Sequence, residues 1–467
     1  MATTTVTARK DTAFLGHPIG LAWLSASEFW ERFSYYGMQA LLVLYASHYL
    51  LQPGHVEHVI GFQWLKRFIE LQYGANLSPQ AMAIGIAGQY AALVYVTPLA
   101  GGILADRFIG RTNTVTIGAL LMALGQFMMA LDQTFLIAIL CMLVGVGCFK
   151  GNIASQVGDL YSHDDPRRAD AFQIYFLGIQ ISVIIAPIIC STLGERVDWR
   201  LGFAAAGVGM LIGLIVYLVG RPTFPAEPLR KKKDQDAPTR PPLTAQDWKV
   251  VAILVVLLPI LALSLLSNQE IFAAYLIWAE KNYQIVFFGE TMPIGWMLSV
   301  DAGVSMVLMV GVIAFWRWWG RRWREPTELG KIIIGTAISA CAPLVLAAAS
   351  LQVSATGHPV SLVWALGFHI VNDLGFSNVL PVGLALYSRA APKGLGGMMI
   401  AVYYLHLYMG NALIGKVGGL LGTMPDVQFW ILHSAIMAGG LVLLIIVRVL
   451  FGRLLAPSFE APKVAAA

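Results

Sequence analysis

The chain has 467 residues, of which 57% are hydrophobic and only 12% are charged, and its mean hydropathy is +0.69. A water-soluble fold of this length cannot bury so much apolar surface, because a single core stops growing well below this size. The composition therefore predicts a membrane protein. The net charge of +5 does not indicate nucleic-acid binding, because the basic residues lie in short loops rather than on one face.

Twelve stretches are apolar enough to cross a bilayer as helices, each of which needs about 20 residues. They lie at residues 20–48, 81–104, 113–131, 134–158, 171–193, 200–220, 249–280, 293–317, 329–352, 360–388, 396–420 and 428–452. The polar start at residues 1–16 and the length of the first apolar run argue against a cleavable signal peptide. The sequence predicts an all-α integral membrane protein with twelve transmembrane helices.

One long polar segment, rich in proline and basic residues, interrupts this series at residues 221–248. Such a composition is typical of a solvated linker. We expect it to join an N-terminal six-helix bundle, residues 1–220, to a C-terminal one, residues 249–455, with a tail at 456–467.

The basic residues indicate how the chain is oriented. With both termini in the cytoplasm, 23 of the 31 lysines and arginines lie on that side, five lie on the opposite side and three are intramembrane. The positive-inside rule therefore predicts cytoplasmic termini in the cell (inner) membrane. The intramembrane three are Arg32, Lys150 and Lys416.

A glycine-rich basic loop, GGILADRFIGRTN at residues 101–113, follows the second helix. It resembles the signature loop of the major facilitator superfamily, whose two six-helix halves rock around a central site. Asp106 can face a helix N-terminus, while Arg107 and Arg111 hold the cytoplasmic side closed. We expect these three residues to form a gating loop.

Three charges lie within the first apolar helix, in the segment EFWERFSYYG at residues 28–37. Each charge costs about 2.5–3.5 kcal/mol or more in mid-membrane, so such residues normally face a cavity and serve function. Helical spacing places Glu28, Glu31, Arg32, Tyr35 and Tyr36 on one face. A structural Glu28–Arg32 ion pair is the alternative, but it leaves Glu31 unexplained.

A partner for the extra acid is Lys150, which lies deep in the fourth apolar helix. Glu28, Glu31, Arg32 and Lys150 together carry no net charge. Protonation of one glutamate would release a cation to bind an anionic solute, so proton and solute would bind with positive coupling. We therefore expect proton coupling at these four residues.

The motif E-x-x-E-R-F-x-Y-Y-G of the proton-dependent oligopeptide transporter family matches EFWERFSYYG at every fixed position. GVGCFKGNI, residues 145–153, and IYFLGIQISVIIAP, residues 174–187, resemble two further motifs of that family. The resemblance implies proton-coupled symport of di- and tripeptides by alternating access. It also implies that Arg32 and Lys150 hold the peptide carboxylate and that Tyr35, Tyr36 and Tyr95 line the pocket. For Tyr95, a packing role is the alternative.

Other positions depart from the family pattern. Gln180 replaces an asparagine but can still bind a peptide backbone, and Phe376 replaces the glutamate that receives the peptide amino end. Asp373 is the nearest acid and either substitutes for that glutamate or caps a broken helix. The short linker at 221–248 predicts that the two extra helices of many bacterial relatives are missing.

The second half contributes three further candidates. Glu270 lies near the gating carboxylate of the family and is expected to take part in proton coupling or in a structural gate pair. Asp301 stands where asparagine is common and is expected to bind protons or peptide, or to form a polar cavity wall. Tyr403 is a candidate pocket aromatic.

The leading hypothesis is therefore a monomeric peptide–proton symporter in a lipid bilayer, with no metal and no cofactor besides protons. Transport of another small anionic solute, such as nitrate or a modified amino acid, is the alternative. An enzyme is not expected, because no nucleophile elbow, phosphate loop or metal-ligand cluster appears.

Overall fold

The computed structural model describes residues 12–162, 165–225, 243–392 and 395–455. Helices make up nearly all of this structure, and one short antiparallel hairpin pairs Val286–Phe287 with Glu290–Thr291. In chain order the α-helices are α1 Ile19–Tyr45, α2 Phe62–Tyr73, α3 Pro79–Leu93, α4 Thr97–Leu104, α5 Arg111–Met128, α6 Phe135–Asp159, α7 Arg167–Arg196, α8 Trp199–Gly220, α9 Ala245–Ser264, α10 Leu266–Glu270, α11 Ala274–Asn282, α12 Trp296–Gly320, α13 Glu328–Thr356, α14 Val363–Ala390, α15 Gly396–Tyr403, α16 Leu405–Val417 and α17 Asp426–Leu455.

Polar side chains begin several of these helices by accepting hydrogen bonds from free backbone amides. Ser78 accepts from Ala81 before α3, and Thr327 accepts from Gly330 before α13. A capping box starts α9, where the Thr244 side chain accepts from the amide of Asp247 and the Asp247 carboxylate accepts from the amide of Thr244. The starts of these three helices are thus specified locally.

Ten helical segments in the described part of the chain are long and apolar enough to span a membrane. Many large apolar side chains on them are exposed, as expected of surfaces in contact with lipid; examples are Val144, Ile215, Val307 and Val442. This confirms the predicted all-α membrane fold. The exact number of twelve transmembrane helices stays a prediction.

The two predicted spans outside these ten form helices, α1 and α5. Helix α1 carries Glu28, Glu31 and Arg32 in its middle, and α5 begins with the polar run Arg111–Thr114. Both helices are therefore less apolar than an ordinary span. Their assignment as membrane helices depends on where their polar groups lie.

Three predicted spans are interrupted, which corrects their prediction as continuous helices. Residues 81–104 divide into α3 and α4, residues 249–280 into α9, α10 and α11, and residues 396–420 into α15, α16 and a 3₁₀ turn. The loop after α4 continues as a π-helical turn, Ala105–Ile109. Gly110, with φ of 79°, then allows α5 to start in a new direction.

Two compact units make up the chain: residues 1–67 with 96–234, and residues 68–95 with 235–467. In the first unit α1 packs against α7 and α8, while α6 packs against α4 and α5. Small residues permit these approaches: the Gly37 Cα lies against Cys190, and Gly202 lies against the backbone of α7. The central position of α1 keeps its charged face inside the unit.

In the second unit α14 packs against α12 and α13, α17 against α9 and α13, and α16 against α3 and α9. Its apolar core includes Leu254, Leu257, Val379, Leu386 and Leu444. Predicted elements that fall outside the described residues are Arg9, Lys10, most of the linker (226–242), Lys393 and the tail at 456–467. The predicted division into bundles at 1–220 and 249–455 stays a prediction.

Gly101 provides a test of packing in the first unit. A Cβ atom there would overlap the Gly147 carbonyl group and lie 2.9 Å from the Cys148 Cα, so α4 and α6 would have to move apart. We expect Gly101→Ala to destabilise the protein by about 1–3 kcal/mol. Thermal unfolding of the detergent-purified protein measures this. Gly102→Ala is the matched control, because a Cβ at Gly102 meets nothing within 4 Å; equal melting temperatures for the two variants would contradict the packing described.

Candidate transport site

The three charged residues of α1 are buried together. Glu31 has no exposed surface, and Glu28 and Arg32 are 3% and 4% exposed. The Arg32 Nε atom lies 3.1 Å from Glu28 Oε1 and also pairs with Glu31 Oε2. One arginine therefore serves both glutamates, and the alternative of a pair limited to Glu28 and Arg32 is wrong.

Lys150 of α6 completes this group. It interacts electrostatically with Glu31, Glu28 and Arg32, all across the interior of the first unit. Two acids and two bases therefore share one region that is largely removed from solvent. We call Glu28, Glu31, Arg32 and Lys150 the α1 cluster.

Tyrosines surround the α1 cluster. The Tyr35 ring lies 5.3 Å from the Arg32 guanidinium carbon, and its hydroxyl accepts a hydrogen bond from Gln39 at 2.8 Å. Tyr36 is half-buried, packs edge-on against Tyr35 and is hydrogen-bonded to Arg32. The predicted pocket tyrosines of α1 thus lie beside the charged groups. Their contact with peptide stays a prediction.

Sequence reasoning missed one residue of this region, Tyr175 of α7. Its buried hydroxyl is hydrogen-bonded to Glu28 and so orients that carboxylate. Tyr175 stands in the IYFLGIQ segment, whose family resemblance directed attention only to Gln180. Gln180 itself is half-buried, and its predicted role stays a prediction.

The gating loop forms an ion-pair network. Arg111 lies 3.6 Å from Asp106 and also pairs with Asp159 at the end of α6. This bridge ties the π-helical turn and the start of α5 to α6. Asp159 was not predicted, because no local pattern marks it. Arg107 lies in the same turn, and its role in closing the cytoplasmic side stays a prediction.

Glu270 lies in the second unit, where the chain breaks between α10 and α11. Glu270 Oε1 accepts from the amide of Ala274 at 3.2 Å, and Oε2 lies 3.4 Å from His433 Nε2. His433 Nδ1 lies 2.8 Å from the Phe429 carbonyl oxygen and must donate its proton there. A proton therefore lies between Glu270 and His433, as an ion pair or as a neutral hydrogen bond.

Asp301 and Asp373 also lie in the second unit, and His369 connects them. His369 Nδ1 lies 2.8 Å from Asp301 Oδ1, and its Nε2 lies 3.0 Å from the Tyr275 hydroxyl. Ligand atoms of the three residues lie within 4.8 Å of one another, a spacing that would suit a metal ion. Hydrogen bonds already occupy both ring nitrogens, however, so we describe the group as a hydrogen-bonded cluster. The continuous helix α14 excludes the alternative that Asp373 caps a broken helix.

The remaining candidates of the second unit lie in helix packing contacts. Tyr95 is half-buried against the apolar core, and the Tyr403 hydroxyl donates to the Leu380 carbonyl at 2.6 Å. The ammonium group of Lys416, which no motif explained, donates to the Tyr73 carbonyl at 2.8 Å, where α2 ends. For Tyr95 and Tyr403, peptide contact stays a prediction.

A model of the POT family matches residues 112–237 of the chain. Among curated proteins, the chain is 28% identical to the "Uncharacterized transporter YclF" of Bacillus subtilis, over 92% of this chain and 94% of that protein. It is 27% identical to the "Di-/tripeptide transporter" of Lactococcus lactis subsp. cremoris, over 94% of this chain and 97% of that protein. The likeness therefore extends over nearly the full length.

Solved structures agree in fold. A peptide transporter POT in complex with sulfate superposes with a TM-score of 0.79 at 24% identity, covering 95% of this chain and 96% of that one. A POT family transporter in complex with 5-aminolevulinic acid gives a TM-score of 0.76 at 20% identity, over 96% and 99% of the two chains.

The membrane-spanning helices and the named relatives indicate a multi-pass membrane transporter rather than an enzyme. These comparisons confirm the resemblance to the POT family that the motifs predicted.

Proposed function

We propose that this protein is a proton-coupled symporter of di- and tripeptides that works by alternating access. The observation that carries the proposal is the α1 cluster, in which Arg32 pairs with two buried glutamates while Lys150 stands within electrostatic range. Relatives named di-/tripeptide transporters support the substrate class.

The coupling follows from charge balance. With Glu28 and Glu31 ionised, their charges neutralise Arg32 and Lys150, so the interior offers no excess positive charge to a carboxylate. Protonation of Glu31 leaves one cation without its counter-charge, and the C-terminal carboxylate of a peptide can then supply the missing negative charge. Because binding is reciprocal, proton binding raises the affinity for peptide and peptide raises the affinity for the proton.

Glu28 has a different part in this scheme. The Tyr175 hydroxyl donates to its carboxylate, and Arg32 lies beside it, so its ionised form is held by two groups. Glu31 depends on Arg32 and Lys150, the same cations that would bind the peptide. Glu31 is therefore the proton carrier in the proposal, and Glu28 fixes the position of Arg32.

The proposed setting is the cell membrane, with both termini in the cytoplasm, as the distribution of basic residues supports. Protons then enter together with peptide down their gradient. One chain contains every residue that the scheme uses, so a monomer suffices.

Uptake of labelled alanyl compounds of one to four residues into proteoliposomes tests the proposal. With a pH lower outside than inside, we expect di- and trialanine to accumulate, and alanine and tetra-alanine not to. A protonophore should abolish the accumulation, and protein-free liposomes are the control. Peptide uptake that is indifferent to the protonophore would contradict proton coupling, and no peptide uptake at all would contradict the substrate class.

Transport of another small anionic solute is a second candidate, favoured by one observation. Phe376, at the place of the glutamate that relatives use for the peptide amino end, packs against the apolar core of the second unit. A solute without an amino group does not need an acid there. Competition of dialanine uptake by nitrate and by N-modified amino acids distinguishes the two: strong competition with weak dialanine uptake would favour the second candidate.

A further inference from the structure

A second buried group of titratable residues lies in the second unit, remote in sequence from the α1 cluster. Asp301 is on α12, while His369 and Asp373 are one turn apart on the same face of α14. His369 and Asp373 have no exposed surface, and Asp301 is 14% exposed. We call these three residues the Asp–His–Asp cluster.

The hydrogen bonds of this cluster form a chain. Tyr275 of α11 contacts His369 Nε2 at 3.0 Å, and His369 Nδ1 contacts Asp301 Oδ1 at 2.8 Å. Asn372 donates to Asp373 Oδ1 at 3.3 Å. Because the acceptor at Nδ1 is a carboxylate, that nitrogen carries the proton, and the imidazole is either neutral or a cation.

Asp373 gives independent evidence that the cluster binds a proton. Its Oδ2 atom has no hydrogen-bond donor among the described residues, although it is buried. The Asp301 carboxylate is close enough for a hydrogen bond between the two acids. Two carboxylates can form such a bond only if one of them is protonated, and two ionised carboxylates at this distance in the membrane interior would repel each other strongly.

The surrounding helices do not supply a compensating cation. From α11 the facing group is Tyr275, and Tyr283, the residue after α11, lies behind it. From α13 the facing group is the Ser339 hydroxyl, which donates to the Asn372 carbonyl. Glu270 of α10 is paired with His433 of α17, and His406 of α16 contacts the Tyr403 carbonyl. Among the described residues, no lysine or arginine forms an ion pair with the cluster, as it does in the α1 cluster.

We propose that Asp301, His369 and Asp373 form a second proton-binding site, in which the two carboxylates share one proton and His369 holds Asp301 in place. Sequence reasoning treated Asp373 as a substitute for the glutamate that receives the peptide amino end; the geometry instead assigns it to proton binding with Asp301. The part of this proposal that concerns transport rests on the proposed function, whereas proton binding itself does not.

Infrared difference spectra of the purified full-length protein, recorded between acid and alkaline buffer, test proton binding without any transport. A buried protonated carboxylic acid gives a carbonyl band that disappears on ionisation. Protonated Glu31 would give such a band as well, so the spectra are recorded in the Glu31→Gln background; there we expect a band that both Asp301→Asn and Asp373→Asn abolish. His369→Gln should shift its midpoint, since glutamine can keep the hydrogen bonds but cannot be charged. His406→Gln is the control and should leave the band unchanged, because this buried histidine has no carboxylate partner in the described part of the chain.

A band that persists in both aspartate variants would overturn the proposal. Stoichiometric Zn²⁺ binding that is lost in Asp301→Asn would overturn it as well, by showing a metal site instead. If one aspartate variant does not fold, the other aspartate variant and His369→Gln still show whether the cluster binds a proton. These outcomes do not depend on whether the protein transports peptides.

The transport consequence is measured as the number of protons moved per dialanine, from the membrane potential at which net flux reverses. We expect a fall from about two protons in the wild type to about one in Asp301→Asn, because one of two linked sites has been removed. His406→Gln should keep the wild-type value. An unchanged ratio in Asp301→Asn would overturn the coupling of the second site to transport, whereas absence of peptide-dependent current in the wild type would count against the proposed function instead.

Discussion

Replacing Glu31 by glutamine is expected to abolish accumulation of dialanine driven by a proton gradient. Glutamine cannot ionise, so Arg32 and Lys150 lose one counter-charge permanently and the site resembles its protonated state at every pH. Peptide still binds to this state, and exchange of internal for external peptide continues. We expect the accumulation ratio to fall by about tenfold or more, the range of strong coupling between two ligands.

The two assays are performed on the same proteoliposomes, so that exchange reports correctly folded protein. Glu195→Gln is the matched control, since that glutamate lies near the end of α7 and outside the α1 cluster. It should accumulate dialanine as the wild type does. Undiminished accumulation by Glu31→Gln would show that this carboxylate does not carry the coupled proton.

The charged face of α1 is predictable from the sequence because the bilayer leaves few alternatives. A membrane helix cannot direct Glu28, Glu31 and Arg32 toward lipid without a large cost, so their common helical face must point inward. The same reasoning applies to Lys150. Burial of these groups therefore follows from composition and periodicity alone.

The partners of those groups are not predictable in this way. Asp159, His433 and His369 meet Arg111, Glu270 and Asp301 across 48, 163 and 68 residues of sequence. Such contacts depend on which helices pack together and in what register, and no local pattern encodes that. Motif matching also gave no reason to single out the histidines, because they belong to no family signature.

The helix breaks also divide into those that the sequence marks and those that it does not. Pro98, in the first turn of α4, has no backbone N–H to continue the hydrogen-bond pattern of α3 and so marks the break after it. The break between α10 and α11 has neither proline nor glycine, and Ala273 is simply forced out of helical geometry there. Conversely, α7, α13 and α14 each continue through an internal proline. At the start of α11 the Glu270 carboxylate accepts a hydrogen bond from the amide of Ala274.

Lys150→Met should eliminate uphill transport and weaken peptide binding. Methionine fills a similar volume without charge, so Glu28 and Glu31 then face Arg32 alone, and the α1 cluster carries one excess negative charge unless a glutamate stays protonated. An incoming carboxylate has only Arg32 to bind, which is already paired with both acids. We expect the concentration of dialanine for half-maximal exchange to rise by about tenfold or more, the effect of losing one buried charge-assisted contact.

Lys150→Arg is the companion variant, because it keeps the positive charge and alters only its shape. It should retain part of the exchange activity, whereas Lys150→Met should retain little. Lys331→Met, at a lysine of α13 in the second unit, is the control and should behave as the wild type. The comparison separates charge from volume. If arginine and methionine reduce peptide binding equally, the lysine acts through packing and not as the cation that binds the peptide carboxylate. If all three variants accumulate dialanine normally, Lys150 does not belong to the site, and the neutral four-residue balance cannot be the origin of coupling.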